Sequence, residues 1–156
     1  MSRDTSLLTP RCRAKCEALI AACARVGIVI IVVYTLRTAA EQAALWAQGR
    51  LPLDAVNKLR KLAGMAPVTE EANRYTVTQV KVSRHQANKD GLSEAFDIAI
   101  RDPHQGITWN PKEDANQNGH PDWPEIGHIA EGLGLTWGGR FPKVDAGHYQ
   151  DDEEAA

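Results

Sequence analysis

Residues 83–100 read SRHQANKDGLSEAFDIAI, and this stretch decides how the rest of the chain is arranged. Its second half, AFDIAI over 95–100, is a short apolar run with β-branched residues, the pattern of a buried strand. Its first half holds His85, and the strand holds Asp97, so a folded loop can aim an imidazole and a carboxylate at one metal ion. A second histidine comes from Asp145-Ala146-Gly147-His148 near the C-terminus. Two histidines and one carboxylate complete a three-ligand set of the kind that leaves the fourth position of a catalytic zinc open to water.

Working outward, residues 75–83, YTVTQVKVS, alternate β-branched with polar residues and predict a half-buried strand leading into His85. Further upstream, IVIIVVY over 28–34 predicts a strand buried on both faces that delivers Thr35, Leu36 and Arg37 to its end. Thr9-Pro10 is an N-cap followed by proline at the first helical position, and Cys12, Cys16, Leu19, Ile20 and Cys23 recur at helical spacing, so a first helix is expected over about 10–25, stopped by Gly27. Thr38 with Glu41 is a capping box opening AAEQAALWAQ, with Gly49 as its stop. Glu41 and Gln42 read as capping and packing residues. A third helix is expected over 54–63, with Asp54 as its N-cap, Val56, Leu59 and Leu62 on one face and Gly64 after it.

Downstream of the opening stretch, residues 101–124 are rich in Pro, Asn, Asp and Gly and predict a long loop. Pro124 then opens a helix, EIGHIAEGLG. LTWGGRF over 135–141 reads as a short strand and turn, VDAGHYQ over 144–150 as a last strand, and DDEEAA over 151–156 as a frayed tail. The expected fold is α+β: a single domain over 1–156 in which a small antiparallel sheet carries the metal site and helices flank it. Trp109, Trp123 and Trp137 read as core residues, and His104, His120 and His128 as surface ones.

Composition narrows the function classes. A hydrophobic share of 43% and a charged share of 24% fit a globular protein, and a net charge of -2 gives no reason to expect a nucleic-acid partner. Cys12, Cys16 and Cys23 are odd in number and lie within one helix, so they read as small buried hydrophobes rather than a disulfide framework. No apolar run followed by a small-residue cleavage site precedes the first helix, and the longest apolar run is about half the roughly 20 residues of a membrane span. A monomer without a secretory signal or a membrane span is expected.

Four pieces in order, TLRTAAEQAALWAQGR, SRH…GLSEAFDIAI, GLTWGG and DAGHYQ, resemble the zinc peptidoglycan peptidases that include D-alanyl-D-alanine carboxypeptidases and dipeptidases and the L-alanyl-D-glutamate endopeptidases of phage endolysins. The resemblance spans about residues 7–150. It implies His85, Asp97 and His148 as zinc ligands, Asp145 as general base and Arg37 as the group that steadies the oxyanion. The residue types suit those roles: the ion lowers the pKa of water to roughly 7 and polarises a carbonyl, a carboxylate can relay a proton to the leaving amine, and an arginine stays charged and forked. One departure stands out. The interval from His85 to Asp97 is twelve residues where the family has seven, which makes Asp90 a rival ligand. Asp97 is preferred because Ala95, Phe96 and Ile98 around it reproduce the family's Ala-x-Asp-Ile.

A second signal lies in DANQNGHPDWPE over 114–125, which matches the calcium-loop pattern D-x-[DN]-x-[DN]-G-x5-E. Oxygen ligands would come from Asp114, Asn116, Asn118, the His120 carbonyl, Asp122 and Glu125. Pro121 replaces the usual apolar residue, and ITWNPKE before the loop does not read as an entering helix. The reading is therefore a zinc-dependent peptidase of peptidoglycan stem peptides, possessed of a calcium loop that could regulate it. It would be an L-alanyl-D-glutamate endopeptidase of the endolysin type, made in the bacterial cytoplasm and released to the wall at lysis. The rivals are a D,D-carboxypeptidase and a non-catalytic, calcium-regulated wall-binding module.

Overall fold

The computed structural model describes residues 2–153; the last three residues of the expected tail lie outside the described residues. Helix α1, Pro10–Arg25, is capped by the Thr9 side chain accepting from the Cys12 amide, with Pro10 in its first turn. Strand β1 is Ile30–Tyr34. Helix α2, Ala39–Ala47, has both halves of the Thr38/Glu41 capping box in place. Helix α3, Leu53–Leu62, starts one residue earlier than expected, with Pro52 rather than Asp54 at the cap and Asp54 in the first turn. Strands β2, Ala95–Asp102, and β3, Gly106–Thr108, follow. Then come α4, Asp122–Gly132, β4, Thr136–Trp137, and β5, His148–Gln150. No helix among the described residues is long and apolar enough to cross a membrane.

The sheet runs β1-β2-β5-β4, with β3 also on β2, and every pairing is antiparallel. Strand β2 is the hub. Because side chains alternate across a strand, Phe96, Ile98 and Ile100 point into one core, where they meet Cys12, Cys16, Leu19 and Cys23 of α1 and Trp123, Ile126 and Ala130 of α4. Asp97, between them, points the other way. All three cysteines are fully buried, and burial pushes each thiol up to about 12.

Two expectations are corrected here. Residues 75–83 form no strand. The segment is irregular, with bends at 79, 81 and 82, and lies against α2 and the turn after it, where the Val80 carbonyl accepts from Gln42 Nε2 at 2.7 Å and the Thr78 carbonyl from Arg50 Nη2 at 3.0 Å. Side chains thus take the acceptors a sheet ladder would use, and Val77, Val80 and Val82 are left exposed. The expected loop after β2 also contains a strand, since β3 folds back on the end of β2, and α4 begins two residues before Pro124.

The start of the expected frayed tail is anchored. Asp151 is 1% exposed, with Arg11 Nε at 2.5 Å and Lys15 Nζ at 3.0 Å from its carboxylate. Burial alone would raise the affinity of Asp151 for a proton, but the hydrogen bonds from Arg11 and Lys15 outweigh it and hold the group below the usual carboxylate range. A carboxyl whose pKa is lowered on folding contributes stability above its unfolded pKa and loses it as pH falls through the folded value. The melting-temperature gap between wild type and Asp151→Asn should therefore be full near neutral pH and begin to close below about pH 4; thermal unfolding followed by circular dichroism across that range checks it.

Candidate metal centre and active site

Register sets the centre. Asp97 of β2 lies directly opposite His148 of β5 on one side and Tyr34 of β1 on the other, where an irregularity lies between Val32 and Tyr34. His85 arrives from a loop rather than a strand. That loop is pinned by an isolated bridge between Arg37 and Gln86, with the Arg37 amide donating to the His85 carbonyl at 2.8 Å. His85 Nε2, Asp97 Oδ1 and His148 Nδ1 then converge: His85 to Asp97 is 3.1 Å, His148 to Asp97 3.0 Å, and the two imidazole nitrogens are 3.2 Å apart. Among the described residues, no other set of three His, Cys, Asp or Glu brings its ligand atoms within 4.8 Å of one another. Asp90, the rival carboxylate, is exposed in a turn closed by Asn88 Oδ1, which accepts from the Asp90 and Leu92 amides.

Hydrogen bonds on the far sides of the imidazoles decide what the centre can hold. His85 Nδ1 is 2.7 Å from the Thr35 carbonyl, which can only accept, so the proton sits on Nδ1 and Nε2 presents a lone pair. His148 Nε2 is 2.9 Å from Gln150 Oε1. Gln150 Nε2 donates to both oxygens of Asp152, which fixes the amide with its oxygen toward the histidine and leaves His148 Nδ1 as the lone pair. In these tautomers three lone pairs face one another, an arrangement that calls for a cation, a metal ion or a proton, between them. Tetrahedral zinc with ligands at about 2.0–2.1 Å would hold its donors about 3.3 Å apart, close to the observed 3.0–3.2 Å. The donor set fits a divalent metal.

Electrostatics support the same reading. Burial would raise the proton affinity of Asp97, yet its hydrogen bonds to His148 and His85 hold it far below the usual carboxylate range. For His148, burial works against the charged form but the hydrogen bond with Asp97 more than offsets it, so a metal must compete with a proton there.

Asp145 and Arg37 lie beside this centre. The Asp145 amide donates to the Gly138 carbonyl and its own carbonyl accepts from the His148 amide, so the residue is tied to the ligand strand by backbone alone. A Cβ on Gly138 would run into the Asp145 carbonyl. Burial, and next the charge of Asp97, raise the proton affinity of Asp145, which makes it a stronger base than a solvated carboxylate. It also lines an open depression of about 400 Å³ with Trp109, Pro111, Trp123, Trp137 and Val144. Trp109, expected in the core, is 57% exposed on that wall.

Arg37 is half-buried, Nη1 donates to Gln42 Oε1 at 2.9 Å, and the buried Nε has no hydrogen-bond partner among the described residues. Burial weakens its hold on its proton, opposed first by the charge of Asp97. Gln42, expected only to pack, therefore bridges Arg37 to the Val80 carbonyl, and Gln150 orients His148. The only sequence signal for either was proximity, five residues after Arg37 and two after His148.

The residues of the predicted calcium loop do not join this centre; they fold as a separate turn that leads into α4, whose first turn holds Asp122 and Glu125.

Converging metal donors beside a carboxylate of raised basicity suit metal-dependent hydrolysis. A family model described as D-alanyl-D-alanine carboxypeptidase matches residues 77–151. The chain is also 33% identical to the peptidoglycan L-alanyl-D-glutamate endopeptidase CwlK of Bacillus subtilis over 136 residues, covering 87% of this chain and 68% of the relative. The chain belongs to the D-alanyl-D-alanine carboxypeptidase family.

Proposed function

We propose that the protein is a zinc-dependent endopeptidase that cuts peptidoglycan stem peptides between L-alanine and D-glutamate, and that it serves as a phage endolysin. The observation that carries the reading is the convergence of three metal-donor atoms, His85 Nε2, Asp97 Oδ1 and His148 Nδ1, next to Asp145. These three residues would hold the zinc, which would supply Lewis acidity and lower the pKa of water to near neutral pH. Asp145 takes the proton of the attacking water and hands it to the leaving amine. Arg37, held by Gln42, offers its remaining N–H groups to the oxygen of the scissile carbonyl. The choice of bond follows the named activity of the Bacillus subtilis relative, and the endolysin role follows the sequence resemblance.

Digestion of purified peptidoglycan followed by mass spectrometry tests the bond. New N-terminal D-glutamate is expected; release of free D-alanine alone would replace the endopeptidase by a D,D-carboxypeptidase, and binding without any release would replace both by a wall-binding module. The Gln150→Leu variant is expected to bind zinc about 10–100-fold more weakly, because partners that orient a ligating histidine matter by that much. Competition with a chromogenic chelator measures it, and unchanged affinity would remove Gln150 from the centre.

A further inference from the structure

We propose that residues 114–125 form a calcium site in which side-chain oxygens of Asp114, Asn116, Asn118, Asp122 and Glu125 and the carbonyl of His120 surround one ion. This goes beyond the peptidase reading and does not rest on it.

The spacing supplies oxygens at positions one, three, five, seven, nine and twelve of a loop with glycine at position six. The backbone coils accordingly: Gln117, φ 56, is the one non-glycine residue of positive φ among the described residues, and Gly119 has φ 89. Asp114 accepts from the Asn118 and Gly119 amides at 3.0 Å each. Glu125 Oε2 receives the amide nitrogens of Asn118 at 2.9 Å and Asn116 at 3.4 Å. Asn116 Oδ1 already turns into the loop, accepting from the Asn118 amide at 3.2 Å, and rotating the Asn118 amide alone would put oxygen where its nitrogen now meets Glu125.

A turn that merely closed on itself would account for those bonds but not for Asp122. This residue is fully buried. Its Oδ2 accepts from the Ala115 amide at 2.8 Å, inside the loop between positions one and three, and its Oδ1 has no hydrogen-bond partner among the described residues. Beside it, Glu113 is buried with Oε2 likewise unpartnered, and the Asp122 amide donates to the Glu113 carbonyl. Burial raises the proton affinity of Asp122, and the charges of Asp114, Glu125 and Glu113 raise it further. A buried carboxylate among carboxylates calls for a cation. Oxygen-only donors, several of them neutral, suit calcium better than zinc or the more demanding octahedral magnesium.

The ion would fasten three parts of the fold. Asn116 Nδ2 also donates to the Val26 carbonyl at the end of α1, and Glu125 lies in the first turn of α4. Helix α4 in turn packs Gly127 under Trp137, whose Nε1 donates to the Ala146 carbonyl between Asp145 and His148. Because β3 and a turn precede the loop, the arrangement is loop and exit helix without an entering helix.

The test is calcium chloride added to the whole, metal-stripped protein, read by calorimetry and thermal unfolding. Wild type is expected to bind one calcium per chain and to gain about 5 °C or more in Tm at saturation, with a smaller gain from magnesium at equal concentration. Glu125→Gln and Asp114→Asn, which keep side-chain shape, are each expected to bind calcium at least about 10-fold more weakly. Circular dichroism confirms that both fold. His85→Ala should keep the full calcium response, which separates this site from the His/Asp/His centre and leaves the result independent of peptidase activity. Absence of heat and Tm shift in wild type, or a shift that survives in both Glu125→Gln and Asp114→Asn, overturns the proposal.

Discussion

The Asp145→Asn variant is expected to keep its fold and its metal and to lose about 10²- to 10⁴-fold in turnover, the usual share of a positioned general base. Asparagine has the same shape, and the bonds that hold this segment run through the backbone, from the Asp145 amide to Gly138 and from the His148 amide to Asp145. The fold therefore has little to lose. Asp145 is not among the three converging donors, so metal content should stay at wild-type level. What disappears is a carboxylate made more basic by burial and by Asp97. Steady-state hydrolysis of purified peptidoglycan together with metal analysis of the same sample measures both halves. A variant within about threefold of wild type would show that proton transfer runs through another group.

The second large effect is expected at His148. His148→Ala removes one of three donors, and a site of two protein ligands should release its metal during dialysis against a weak chelator, with turnover falling to background. The consequence reaches further than the missing imidazole. Asp97 loses a hydrogen bond of 3.0 Å that holds its carboxylate ionised, and Gln150 loses its acceptor role. Asp97→Asn is the companion variant: it keeps the shape of the strand and both histidines but removes the anionic donor, so it too should lose metal. Stoichiometric metal in both variants would place the centre elsewhere.

Much of this architecture is legible in local chemistry. Thr9-Pro10 and the spacing of Cys12, Cys16, Leu19 and Cys23 define α1 to the residue because cap and buried face agree. The capping box of α2 depends on residues three apart and needs no tertiary knowledge. Strand β2 stands out because its core face, Phe96, Ile98 and Ile100, is uninterrupted. What escapes the sequence depends on distant partners. The alternation over 75–83 satisfies a strand pattern, but whether it pairs is decided by Gln42 and Arg50 taking its carbonyls. Strand β3 is three residues long, too short for any period to register, and exists because β2 offers it an edge. Asp151 reads as part of an acidic tail until Arg11 and Lys15 close on it. In the centre itself, the histidines and carboxylates are visible as residue types, whereas the tautomers that make them donors are set by the Thr35 carbonyl and by Gln150, contacts that only the folded chain brings about.

The most direct test of the account is zinc titrated into the metal-free wild-type protein, with cleavage of peptidoglycan measured at each step. Activity is expected to rise linearly and to level off at one zinc per chain, and His148→Ala should show neither the binding nor the rise. Full cleavage by the metal-free protein, or saturation that is the same in His148→Ala, would contradict the assignment of His85, Asp97 and His148 as the catalytic metal centre.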